Sequence, residues 1–317
     1  MYERGYGDCK ALTNYMLSLL KAVNIDAYPA LIHNARLPNG FLNDFPSNQF
    51  NHVILCVPTS DDTVWLECTS QTIPFGHIGA SNENRYALVV GPQGGTLVRT
   101  PSSKAADNCQ IRKATVTLQI NGDASATIHT LYTGNQQDYV RTGLKVASPR
   151  ERDDWLKEYI DIPAFNLVKT DFSQLDKKDM RVELTMQVQL PRYAAVAGNR
   201  LLLQHNLMER RSYVPQPLKN RKYPIMHSYA YLDIDSILYT LPQNYVVEVL
   251  PKAVTIQTPF AEYQSSINSD EDGSLLYTRH LEVSETVLPP ESYDQYRTFL
   301  QEIAEADKAI SALVRRQ

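Results

Sequence analysis

From residue 111 onward the chain is written in period two, and this limits its fold more than any other feature. Residues 111–120, 124–133 across an Asn121-Gly122-Asp123 turn, 180–190, 229–240 and 275–283 alternate apolar and polar side chains, the pattern of strands with one buried and one wet face. Such a region closes as packed antiparallel sheet, most simply a sandwich. Helices are minor in it: residues 149–160 carry Trp155, Leu156 and Tyr159 on one face, and residues 293–315 repeat apolar positions every third or fourth residue to the end of the chain.

The first hundred residues follow another rule. Gly5 and Gly7 loosen the approach to Asp8, a good N-cap, and Leu12, Tyr15, Met16, Leu19, Leu20 and Val23 then recur at helical spacing up to Asn24. Cys9 therefore falls in the first turn of a helix. Unpaired amides and the helix dipole favour thiolate there, although a buried structural cysteine is the other reading of the same residue. A strand over residues 26–33 and a polar loop over 34–49, with Pro38, Asn39-Gly40, Asp44 and Pro46, lead to a hairpin. Its arms are residues 52–57 and 63–68, and Pro58 to Asp62 supply the turn. After a short strand at 86–90, Pro101-Ser102-Ser103-Lys104 reads as a linker, so the division expected is 1–104 and 105–317.

Composition narrows the function classes. With 31 Lys+Arg against 35 Asp+Glu the net charge is −4, so no basic excess points to nucleic acid. No apolar run approaches the ~20 residues of a membrane helix, and the opening residues lack the apolar stretch of a secretion signal. Four cysteines, at 9, 56, 68 and 109, form neither a disulfide framework nor a C-x-x-C pair. His33, His52 and His77 with the cysteines have no ligand spacing characteristic of zinc, so no metal is expected. Cys56 and Trp65 read as sheet packing, and Cys68 points away from Glu67. His33 and His77 read as solvent-facing, and Arg210-Arg211 with Lys219-Asn220-Arg221-Lys222 as a solvated basic loop.

A thiolate needs a base, and the base needs an acceptor that fixes its tautomer. His52 and Glu67 are the candidates. If Val57 pairs with Asp62, His52 stands opposite Glu67 and the two share a face; one more loop residue puts Cys68 there instead and turns Glu67 away.

Gly7-Asp8-Cys9-Lys10 before a helix, Phe50-Asn51-His52-Val53 opening a strand, and Val64-Trp65-Leu66-Glu67-Cys68-Thr69-Ser70 on the next strand resemble the transglutaminase-like superfamily of papain-fold thiol enzymes. The resemblance covers the first third of the chain. It implies Cys9 as nucleophile, His52 as base and Glu67 as third member, where the family most often has Asp. Tyr239-Thr240-Leu241-Pro242, Glu248-Val249-Leu250-Pro251, Phe260-Ala261-Glu262-Tyr263 and the segment from Asp272 to Arg279 resemble the C-terminal domain of unknown function that follows this core in bacterial envelope proteins. By that resemblance the core lacks its upstream part, leaving the Cys9 amide as the evident oxyanion donor, and the location expected is periplasmic or envelope.

The fold class expected is therefore α+β: a truncated papain-like, transglutaminase-like core of helix plus antiparallel sheet, then an antiparallel β-sandwich-like domain with helical insertions and a C-terminal helix. The function expected is amide chemistry on a peptide or protein through a thioester, peptidase or amidase before cross-linking transferase, with no cofactor. The rival is a catalytically silent envelope binding or scaffolding protein whose β domain carries the interactions.

Overall fold

The computed structural model describes residues 5–37, 40–146, 148–173, 175–176, 178–271 and 273–316; Pro38 and Asn39 of the polar loop and Asp272 lie outside them. Asp8 caps helix α1 (Cys9–Ala22), its Oδ1 accepting from Ala11 N at 2.9 Å. The helix stops where Asn24 takes φ 58°, a left-handed conformation that Asn tolerates. Five strands follow: β1 (Tyr28–Ile32), β2 (His52–Pro58), β3 (Thr63–Leu66), β4 (Tyr86–Gly91) and β5 (Gly94–Arg99). They form one antiparallel sheet ordered β3-β2-β1-β4-β5. Its core is small, with Ala30, Ile32, Ile54, Cys56, Trp65 and Ala87 packed under Ile78.

Past residue 104 the chain builds β6 (Cys109–Leu118), β7 (Ala124–Thr133), α2 (Gln136–Val146), α3 (Pro149–Tyr159), β8 (Asn166–Ser173), β9 (Arg181–Leu190), β10 (Ala195–Ala197) and β11 (Arg200–Gln204). It continues through β12 (Ile225–Met226), β13 (Tyr231–Thr240), β14 (Tyr245–Val249), β15 (Val254–Gln257), β16 (Ala261–Ser269), β17 (Leu275–Val283), β18 (Val287–Leu288), α4 (Tyr293–Asp307) and β19 (Ile310–Arg315). Eight of these strands make a sheet ordered β15-β16-β17-β13-β6-β7-β9-β8, four make β10-β11-β19-β14, and β12 pairs with β18. Only one face of the large sheet is buried, which is why its strands alternate so cleanly: Ala114, Val116 and Leu118 point in while Lys113, Thr115 and Thr117 point out. The inward face shares one apolar core with Leu201, Leu203 and Leu313 of the four-stranded sheet and with Val140, Leu144 and Leu156 of α2 and α3. A second core forms where Tyr293, Phe299 and Ile303 of α4 cover Phe260, Tyr263 and Leu281.

The α+β class with a papain-like helix-plus-sheet core is overturned. Strand makes up 40% of the chain and helix 18%, in four sheets with few helices. The physical reason is visible in α1, which buries only Thr13 completely and so cannot serve as the helical half of a two-part core. Two further expectations fail. The large sheet is not purely antiparallel, because β6 and β13 run parallel. The terminal helix stops at Asp307, and the apolar spacing beyond it belongs to β19, which fills the four-stranded sheet between β11 and β14.

Between the two apolar cores a row of charge crosses the buried face. Arg112 of β6, Asp235 of β13 and Arg279 of β17 stand in register on neighbouring strands. Asp235 takes Arg112 Nη1 at 2.7 Å and Arg279 Nη1 at 3.1 Å, and Arg279 Nε lies 3.4 Å from Asp307 at the end of α4. Asp307 also accepts from Tyr263 Oη, Asn206 Nδ2 and Arg211 N.

Candidate active site

The β2–β3 hairpin turns through Thr59–Asp62, closed by Thr59 N donating to Asp62 O at 2.8 Å. Its register pairs Cys56 with Trp65, Val57 with Val64 and Pro58 with Thr63. That is neither of the two pairings weighed from the sequence. It is displaced by two residues from the one that opposes His52 to Glu67, and a shift of two keeps every side chain on its face. Glu67, one residue past β3, thus sits diagonal to His52, where neighbours are about 7–8 Å apart. The extra methylene of Glu over Asp spans that diagonal: His52 Nε2 meets Glu67 Oε2 at 2.6 Å.

A polar net locks the carboxylate in place. Glu67 Oε1 accepts from Thr69 N at 2.8 Å and Thr69 Oγ1 at 2.6 Å, and Oε2 also accepts from Asn82 Nδ2 at 3.0 Å. Asn82, buried, donates from the same nitrogen to Ile78 O and accepts from Asn34 Nδ2. Asn34 in turn exchanges hydrogen bonds with Asn51, the residue before His52. Burial pushes the Glu67 pKa up, but the bonds from His52 and Thr69 and the His52 charge outweigh it and hold the carboxyl below its usual range. His52 spends Nε2 on this partner; among the described residues Nδ1 has no protein partner.

Cys9 arrives from the other element. Thr13 Oγ1 donates to Val53 O at 3.1 Å, which pins α1 beside the first residues of β2. The chain leaves α1 to enter β1 at Tyr28, opposite Cys56, so the helix runs from the His52 end of the sheet toward the Cys56 end. Cys9 lies four residues before Thr13, about 6 Å along the axis at 1.5 Å per residue. It is half-buried, and among the described residues no hydrogen bond joins its sulfur to His52. The other thiols are held protonated by burial: Cys68, close to the Thr13 hydroxyl and to Glu67, is pushed up to about 11, and Cys56 and Cys109 are raised as well.

The remaining histidines have separate partners. His33 Nδ1 lies 2.9 Å from Gln49 O. His77 is not solvent-facing as its turn context implies: it is buried, and its Nε2 lies 2.9 Å from Asp138 Oδ2 on α2. Burial opposes charging His77, but the Asp138 carboxylate prevails and raises its pKa. Gly134 makes this meeting possible, since it turns β7 into α2 at φ +53° where a Cβ would strike the Asp107 carbonyl and the Asn108 side chain. A cleft of about 670 Å³ is lined by Glu67, Thr69 and Asn82 together with Asp138 and Tyr139 of α2 and Tyr229. Asn34 and Arg36 from the polar loop border it. Asn82, Thr69 and Asp138 were not legible in advance: an Asn in a turn-rich segment or an Asp on an unread helix carries no signal of its own.

No helix among the described residues is long and apolar enough to cross a membrane. Residues 199–312 match a family described as a domain of unknown function with solved structure (DUF3858), a span that runs from β11 through α4 into the first residues of β19 and leaves out His52 and Glu67. A search of curated proteins finds no match. Among solved structures the chain is similar to a crystal structure from Parabacteroides distasonis described as a "putative protease", with TM-score 0.50 and 10% identity. The likeness covers 99% of this chain and 45% of that one, so the chain spans less than half the length of the protein it resembles, and at this identity the similarity is one of fold.

Proposed function

We propose that the chain is a transglutaminase-like thiol hydrolase of amide bonds, with Cys9 as nucleophile, His52 as base and Glu67 as the carboxylate that orients it. The observation that carries this reading is the His52–Glu67 pair at 2.6 Å, whose Glu67 also lines a cleft. In this scheme the Cys9 thiolate attacks the carbonyl carbon, and the tetrahedral oxyanion is met by the Cys9 N–H. That amide is available because the Asp8 side chain is spent on Ala11 N. His52 protonates the departing amine, a thioester forms, and water activated by the same imidazole releases the acid. Glu67 holds the tautomer and balances the imidazolium. Water rather than an amine as acceptor is favoured by the fold likeness to a structure described as a protease.

The test is alkylation by iodoacetamide at pH 6 with the modified residue located by mass spectrometry. Three thiols have pKa values raised by burial, so a reactive thiol separates cleanly from them. The expected result is labelling of Cys9 about tenfold faster than a free thiol, with peptide-bond turnover lost in Cys9→Ala. Labelling no faster than a free thiol, with turnover unchanged in Cys9→Ala, sinks the enzyme and leaves the binding protein.

A further inference from the structure

The two basic clusters of residues 210–222, which composition reads as a solvated loop, are gathered by the fold around one cleft. Arg210, Arg211 and Arg221 line a depression of about 660 Å³ closed on its far side by Tyr293 and Tyr296 of α4, and among the described residues no carboxylate lines it. The loop is held rigidly against the helix: Tyr293 Oη donates to Gln216 O at 2.8 Å and Arg297 Nε to Pro215 O at 2.7 Å.

Each guanidinium is fixed by neutral acceptors. Arg221 donates to the carbonyls of Tyr223 and Pro224 and lies over the Tyr293 ring, 4.7 Å from its centroid. Arg210 donates to Gln204 Oε1 and Leu207 O, and its Nε is buried with no partner. Arg211 donates to Tyr231 Oη, with Glu209 and Asp233 acting on it from behind the cleft. Among the described residues none of the three makes an ion pair, in a chain whose acids outnumber its bases. Arg210 and Arg221 thus face the cleft with no ion-pair partner among the described residues, and an arriving anion supplies one; planar guanidinium forks match phosphate and carboxylate oxygens.

We infer that this cleft binds an anionic ligand, one carrying phosphate or carboxylate groups, through Arg210, Arg211 and Arg221. The volume exceeds what a single inorganic anion fills, and the tyrosines offer ring faces for the rest of the ligand. The site is separate from Cys9 and His52 and does not depend on their chemistry.

Isothermal titration of the full chain with pyrophosphate and, separately, citrate tests it. The expected result is saturable one-to-one binding of at least one of them, weakened as salt is raised, the stronger of the two naming phosphate or carboxylate as the ligand chemistry. Arg221→Gln and Arg210→Gln each weaken it about tenfold or more, the loss of one charge-assisted contact. Lys219→Gln, an exposed cation of the same segment outside the cleft, leaves it unchanged. Circular dichroism and melting temperature confirm the folded state of each variant; if Arg210→Gln unfolds, Arg221→Gln decides. No saturable binding of either anion at millimolar concentration, or equal weakening by Lys219→Gln, overturns the assignment.

Discussion

The His52–Glu67 pair and the Arg112–Asp235–Arg279–Asp307 row both take charge out of water, and they are built to opposite purposes. In the row, side-chain exposure is 1% or less for every member, and Asp235 and Arg279 each meet two opposite charges. At the hairpin, His52 and Glu67 keep 13% and 6%, and the imidazole retains one nitrogen without a protein partner. A charge that is compensated on all sides holds strands together, whereas one that is compensated on a single side is available for a reaction. Burial alone does not separate structure from function, and neither does the count of unpaired nitrogens, since Arg112 and Arg279 keep guanidinium nitrogens without a hydrogen-bond partner. What differs is that opposite charge flanks the row on more than one side and solvent is shut out of it, whereas the hairpin pair keeps some exposure.

The sharpest break of this contrast is Asp235→Ala, which removes the carboxylate between Arg112 and Arg279 and takes from each its shortest ion pair. We expect a loss of about 3–5 kcal/mol in urea unfolding, the cost of stranding a buried charge. A loss below about 1 kcal/mol would mean that the row is hydrated and the contrast false. Next in size, Glu67→Gln keeps the shape of the pair and removes its charge. Its effect belongs on chemistry, about a hundredfold on the rate of Cys9 alkylation or amide turnover, with the unfolding midpoint little changed. If stability falls and rate does not, the hairpin pair is structural after all. Asn82→Ala comes third: it removes one donor to Glu67 and one from Ile78 O, for about 1–2 kcal/mol in stability and a smaller drop in rate than Glu67→Gln.

The smallest effect is pH dependence, and its sign distinguishes two pairs. The folded pKa of Glu67 is lowered, so its contribution is present above the ordinary carboxyl value and is lost as pH falls through the folded one. The folded pKa of His77 is raised, so its contribution is complete below the ordinary imidazole value of 6.5 and disappears as pH rises through the folded one. Melting curves of the unaltered chain and of His77→Gln should therefore converge above neutral pH and diverge below it. Parallel curves across that range would show that the bridge from His77 to Asp138 contributes nothing.

The parts that could be read in advance are those where neighbours impose one simple rule. β7 and β17 fall on their expected residues and β6, β9 and β13 fall close to theirs, because one wet face enforces alternation, and α1 starts at its Asp8 cap. What escaped has mixed signals. α2 follows β7 through a turn with only Val140 and Leu144 wholly committed to the core, β5 opens on Gly94-Gly95, and Ile310, Leu313 and Val314 continue a helical spacing although they lie in a strand. At the site, His52 and Glu67 were legible as a type and an order. Their actual register was not, because it is set by the hydrogen bonds of a four-residue tip and not by the strands.

The parallel pairing of β6 with β13 also sets an order of events during synthesis. Arg112 leaves the ribosome 123 residues before its carboxylate Asp235 exists. Until then β6, β7, β9 and β8 can pair as a four-stranded sheet, but their inner face cannot seal over Arg112 without its buried carboxylate except at a large penalty. The half-made chain keeps one flank wet until Asp235, about three quarters of the way along it, is made. β13, and not the hairpins that precede it, is the strand whose arrival commits this protein to its final shape.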